Sequence, residues 1–116
     1  MTGYNIFESA LLKLGYHDSK GTVEQAVPFK KIALDAINEF SFDLCHSSPI
    51  KTLFDNIDLD KQAVSVISYG VAMVISLYNH DTEKNMIMTA IFNARRAAYL
   101  SENKRIKDVL PEVYGV

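Results

Sequence analysis

The chain has 116 residues, of which 48 % are hydrophobic and 22 % charged, with a net charge of −2 and one cysteine, Cys45. That length suits one domain, burying roughly 65 % of the surface its extended chain would expose, and the composition excludes disorder. The weak negative charge argues against a general nucleic-acid binder, and a lone cysteine excludes an internal disulfide framework and points to a reducing compartment.

Met1 to Asn5 lack a basic segment followed by an apolar one, so no signal peptide is predicted and the cytoplasm is the expected place of synthesis and residence. The charge is uneven. Residues 1–58 carry five lysines against eight acids, whereas residues 59–116 carry seven basic residues against six acids. Most of the positive excess comes from Arg95, Arg96, Lys104, Arg105 and Lys107.

A first helix is predicted over Gly3 to Leu14. Ile6, Ala10 and Leu14 recur every four residues, Phe7 and Leu11 widen the apolar stripe, Thr2 or Asn5 caps the start, and Gly15 suits a left-handed stop. His17 to Thr22 reads as a polar loop. A second helix is predicted from about Val23 to about Cys45, with Thr22 and Gln25 as a capping box and Pro28 marking either a bend or the true start. Phe29, Ile32, Ala33, Ala36, Ile37, Phe40 and Leu44 hold one face, while Lys30, Lys31, Asp35, Asn38 and Glu39 fall mostly on the other.

Residues 46–59 form a long connection, which begins at the helix-stopping Ser47-Ser48-Pro49 and is punctuated by Ile50, Leu53, Phe54, Ile57 and Leu59. A connection of that length is expected to be pinned by its apolar residues, to be functional, or both. Asp58 or Asp60 is placed to cap the next helix.

From Gln62 to His80 there is no charged residue. About 20 apolar residues span a bilayer, but Ser65, Ser68, Ser76, Gln62, Asn79 and His80 dilute this run and no strong basic flank sets a topology. The reading is the central helix of a bundle, with no membrane partner. Gly70 at its middle costs about 1 kcal/mol relative to alanine, which suggests close approach of a neighbour.

A corner at Asn79-His80-Asp81 leads to a fourth helix capped by Asp81 or Thr82. Ile87, Ala90, Ile91, Ala94 and Ala98 are assigned to its inner face, packed on the third helix. Met88, Phe92, Arg95 and Tyr99 fall on a second stripe, read as a candidate contact surface. Residues 104–116 break at Pro111 and read as an extended tail that needs a partner. The expected architecture is therefore all-α: a four-helix, bundle-like domain over 1–103, a long loop between helices 2 and 3, and a tail over 104–116.

No chemistry-bearing pattern emerges. His17-Asp18, Cys45-His46 and His80-Asp81 lack metal-ligand spacing, no two carboxylates are spaced as a hydrolytic pair, and the five glycines form no phosphate loop. Cys45 reads as a buried structural thiol. The expectation is a protein without catalytic activity, cofactor or metal. Methionines 73, 86 and 88, with Tyr69, Tyr78, Phe92 and Tyr99, exceed what the internal seams of four helices absorb, which points to an oligomer.

The order of these parts resembles the head–tail connector (adaptor) proteins of long-tailed bacteriophages and prophages. The residues that carry the likeness are Tyr69-Gly70-Val71-Ala72-Met73, Phe92-Asn93-Ala94-Arg95-Arg96-Ala97-Ala98 and Asp108-Val109-Leu110-Pro111, within a helix order that spans nearly the whole chain. The resemblance implies a helical subunit forming a ring, usually twelvefold, below the portal protein. Such a ring extends the DNA channel, lets DNA pass without reading its sequence, and docks neck or tail-completion proteins; its place is the host cytoplasm during assembly and then the virion neck.

The acidic first half would suit a channel wall that must not grip DNA. The family's C-terminal segment reaches into a neighbouring protein, which corresponds here to Lys104, Arg105, Ile106, Lys107, Val109, Leu110, Val113 and Tyr114. Leu53, Phe54, Met88, Phe92, Arg95, Arg96 and Tyr99 form the other candidate surface between subunits or partners. Two alternatives stand beside this reading: a small cytoplasmic helical protein that binds partners or assists tail assembly without forming a ring, and a DNA-binding regulator using the five basic residues of the last third.

Overall fold

The computed structural model describes residues 1–16 and 29–102 in full, and the backbone of 103–114. Four helices follow in order: α1 (Gly3–Leu14), α2 (Lys30–Cys45), α3 (Lys61–Tyr78) and α4 (Thr82–Tyr114). Among the described residues no strand forms; one isolated antiparallel bridge joins Thr2 and Asn56. The fold is all-α and bundle-like.

Local chemistry accounts for the helix ends. Thr2 and Asn5 close a reciprocal capping box at the start of α1, and Gly15 ends it at φ 72°, in the left-handed region where glycine carries no Cβ penalty. Asp60 caps α3 by accepting from the Ala63 N–H at 2.7 Å. Asp81 accepts from the Lys84 N–H at 3.3 Å in the first turn of α4. The described part of the second helix begins at Lys30, seven residues after the expected Val23; the capping pair Thr22/Gln25, Pro28 and His17 lie outside the described residues.

Helix α3 is the hub. It packs on α1, α2 and α4, whereas α1 and α2 touch each other less. Val66, Ile67, Val71, Ala72 and Ile75 are buried in one cluster with Phe7, Leu11, Ile37 and their neighbours. Full burial of an Ile or Phe side chain contributes roughly 1.5–3 kcal/mol, so these contacts outweigh the exposed ion pairs in stabilising the fold. By length and composition alone α3 is apolar enough to cross a membrane, and half of that stretch is buried within the fold.

Gly70 is where α3 meets aromatic side chains from two sides. A Cβ built there would lie 2.7 Å from Phe40 and 2.9 Å from Phe92, whose ring centroids are themselves 5.0 Å apart. The glycine thus lets two rings reach the α3 backbone.

The connection between α2 and α3 wraps the start of α1. The α1 amides of Gly3 and Tyr4, which have no partner inside the helix, donate to the loop carbonyls of Asp55 and Leu53 at 3.3 and 2.7 Å. Ile50, Leu53 and Ile57 are buried beneath it. The other end of α1 is tied to α4, where Lys84 donates to the Leu14 carbonyl at 2.6 Å and Tyr16 donates to Asp81 at 2.9 Å.

Two expectations are corrected here. The inner and outer stripes of α4 are exchanged: Met88, Phe92 and Tyr99 are buried, while Ile87, Ala90, Ala94 and Ala98 are exposed. The reason is area, since a methionine and two aromatic rings remove far more apolar surface from water than a row of alanines. The second correction concerns residues 104–114, which continue α4 rather than forming an extended tail. Extending an existing helix avoids the cost of nucleation, and between Leu100 and Leu110 there is neither glycine nor proline to oppose it.

Candidate interaction surfaces

Two grooves flank α4. The first lies against α3 and has a volume of about 320 Å³, lined by Lys61, Gln62, Ser65, Arg95, Tyr99 and Glu102 among others. At its side the Tyr69 ring carries two cations: Lys13 Nζ lies 4.8 Å and the Arg95 guanidinium 4.9 Å from its centroid. Arg95 also donates to Ser65 Oγ at 3.1 Å, and Lys13 donates to Ser9 Oγ at 2.9 Å. Neither makes an ion pair among the described residues. Partial burial, and then the neighbouring charge of Arg95, hold the Lys13 ammonium below its ordinary pKa.

The second groove lies between α2 and α4, with a volume of about 460 Å³. Phe40 and Phe92 line it, exposed Phe42 stands on its edge at 5.4 Å from the His46 ring, and Glu39, Asp43 and Arg96 complete its rim. Arg96 donates from Nε and Nη2 to the two carboxylate oxygens of Asp43 at 3.0 and 3.3 Å. That two-point bond raises the Arg96 pKa above its already high value. Arg95 and Arg96, adjacent in sequence, therefore serve opposite flanks of α4.

The other expected site residues divide clearly. Phe54 is 72 % exposed and stacks on Tyr4 with centroids 5.5 Å apart, so it is available as a contact. Leu53 is buried, as are Met88, Phe92 and Tyr99, and these four are corrected from surface to core. Leu53 lies at the α1 start, Phe92 packs on Phe40 beside Gly70, and Tyr99 is held between Cys45 and Asp60. The tail residues from Lys104 to Tyr114 are described in backbone only, within α4.

Cys45 is half-buried rather than fully buried. Its Sγ lies 3.3 Å from the Tyr99 hydroxyl, which donates to Asp60 Oδ2 at 3.1 Å. This links the end of α2, the cap of α3 and the middle of α4. His46 and His80 occupy left-handed turns at φ 54° and 56°. Among the described residues no group of three His, Cys, Asp or Glu side chains is arranged to hold a metal ion.

Sequence reasoning singles out neither Lys13 nor Asn38. By position Lys13 is an ordinary end-of-helix cation, and nothing in its spacing announces Tyr69, far along the chain, as a partner. Periodicity puts Asn38 on the solvent face of its helix, yet it clamps the backbone of Ile50. Comparison with family models, with curated proteins and with solved structures finds no match to this chain.

Proposed function

We propose that this chain is a structural subunit of a phage head–tail connector, forming a ring below the portal protein that extends the DNA channel and docks neck or tail-completion proteins. The observation that carries the reading is apolar surface without an internal use. Leu12, Phe42, Phe54, Leu77, Tyr78 and Met86 are each between 60 and 72 % exposed, on a domain that already has a continuous core. Large exposed apolar side chains support a contact surface where they are neighbours, as Leu77 and Tyr78 are at the end of α3. The resemblance of the helix order and of the Tyr69–Met73 and Phe92–Ala98 segments to connectors supplies the kind of assembly.

A basic surface for DNA reading finds less support. Of the two arginines that alternative needs, Arg96 is already paired with Asp43.

Light scattering at high protein concentration, together with binding to purified portal complexes, tests the reading. The expected result is a discrete higher oligomer, formed alone or on the portal. A strict monomer that ignores portal complexes overturns it. Deletion of residues 104–116 is expected to leave the fold of α1 to α3 and the first turns of α4 intact, since the buried cluster among the described residues, Ile6 to Tyr99, is already continuous, and to abolish partner binding.

A further inference from the structure

Among the described residues, two pairs of like charges without an ion-pair partner, Lys13 with Arg95 and Asp35 with Glu39, are complementary to one another but stand on different surfaces. Lys13 of α1 and Arg95 of α4 converge on Tyr69, so both cations lie within 4.9 Å of one ring centroid and no more than about 10 Å apart. Two cations side by side with no counterion among the described residues repel; burial first, and this repulsion second, lower the Lys13 pKa. Ser9 and Ser65 hold them in place, and exposed Leu12 precedes Lys13 in α1.

On α2, Asp35 and Glu39 are both exposed and neither makes an ion pair among the described residues. Their spacing of four places both carboxylates on one face of the helix, roughly 6 Å apart at Cβ. Exposed Phe42 continues that face by three residues. Within one copy the two sets do not meet: α2 reaches α4 through Phe40–Phe92 and Asp43–Arg96, on the flank away from Arg95.

We propose that copies of this chain associate head to tail, with Asp35 and Glu39 of one copy seated on the Lys13–Arg95 pair of the next and Phe42 and Leu12 adding apolar contact beside them. This rests on the ring reading and specifies its subunit contact. A contact between two different surfaces repeats from copy to copy, and closes into a ring when the rotation per step allows. Complementary charge fixes register and orientation, while the apolar side chains supply burial.

Charge exchange in the full-length chain tests it. Asp35→Lys with Glu39→Lys makes the α2 face basic; Lys13→Glu with Arg95→Glu makes the α1–α4 face around Tyr69 acidic. Sedimentation velocity over rising concentration is expected to show each double variant associating at least about tenfold more weakly than the parent, and an equimolar mixture of the two recovering association. Association of the parent is also expected to weaken with salt.

Because Lys13 and Arg95 support Tyr69, helicity by circular dichroism accompanies each measurement. The Asp35/Glu39 variant alters only exposed residues and stands alone as a test if the other fails to fold. Parent-like assembly by both variants overturns this contact and leaves the ring reading standing. A parent that stays monomeric overturns the contact, and portal binding then decides the ring reading separately. If Lys13→Glu/Arg95→Glu instead abolishes salt-sensitive DNA binding while association is unchanged, the cation pair is a phosphate site and the proposal falls.

Discussion

The side-chain amide of Asn38 grips the backbone of Ile50 at both ends, donating to its carbonyl and accepting from its N–H, each at 2.9 Å. A helix side chain here does what a neighbouring strand would do. It fixes the long α2–α3 connection at the point where Ile50 turns into the core, and that connection in turn supplies the acceptors for the start of α1. Asn38→Ala leaves two backbone groups of Ile50 without their partner, a loss of about 1–3 kcal/mol. Urea unfolding should show the lower midpoint, and hydrogen exchange should show faster exchange at Ile50, Gly3 and Tyr4 together. A change confined to Ile50 would mean that the loop and the α1 start are not coupled.

Gly70→Ala sets helix propensity against packing. Alanine gains about 1 kcal/mol in a helix interior, while a Cβ within 3 Å of two rings costs about 1–3 kcal/mol of overpacking. Phe92 is buried against Phe40, so making room for the methyl shifts both rings together and a net loss is expected. Combining Gly70→Ala with Phe40→Leu should recover part of that loss in a double-mutant cycle. A stabilised single variant would show that the rings tilt away at no cost.

Ser68 is 1 % exposed and its hydroxyl has no hydrogen-bond partner among the described residues. Ser68→Ala removes an unsatisfied polar atom from the core and improves helix propensity. Stability should rise by about 1 kcal/mol. Thermal and urea unfolding read this directly, and a loss of stability would reveal a partner for the hydroxyl.

Asp55 organises the loop tip by accepting from the Lys51 and Thr52 N–H groups at 2.9 and 3.0 Å. The Thr52 bond, then the Lys51 bond, hold its carboxyl below the ordinary carboxylate pKa. A depressed folded-state value means that this contribution is present above the unfolded pKa, about 3.9, and is lost as pH falls through the lower folded value. NMR titration should show the Lys51 and Thr52 amide shifts moving together below the ordinary carboxylate range. In Asp55→Asn that transition should be absent. A midpoint at or above the ordinary value would remove these bonds from the account.

Local residue chemistry makes much of the fold legible without any tertiary contact. Thr2 and Gly15 bracket α1, Asp60 precedes α3, and the uncharged run after it belongs to the central helix, because caps, periodicity and polarity act within a few residues of chain. The choice between the two stripes of α4 is different. Both Ile87–Ala98 and Met88–Tyr99 satisfy helical spacing, and only the shape of the α3 surface, with its Gly70 notch and the Phe40 ring beside it, selects the bulkier one. The same holds for the candidate surfaces. Composition shows an apolar surplus and a charge imbalance, but which charges pair is decided by three helices meeting: Arg96 finds Asp43, whereas Arg95 and Lys13 converge on Tyr69 with no counterion among the described residues. Periodicity assigns a residue to a face of its own helix; what that face meets depends on packing between segments far apart in sequence.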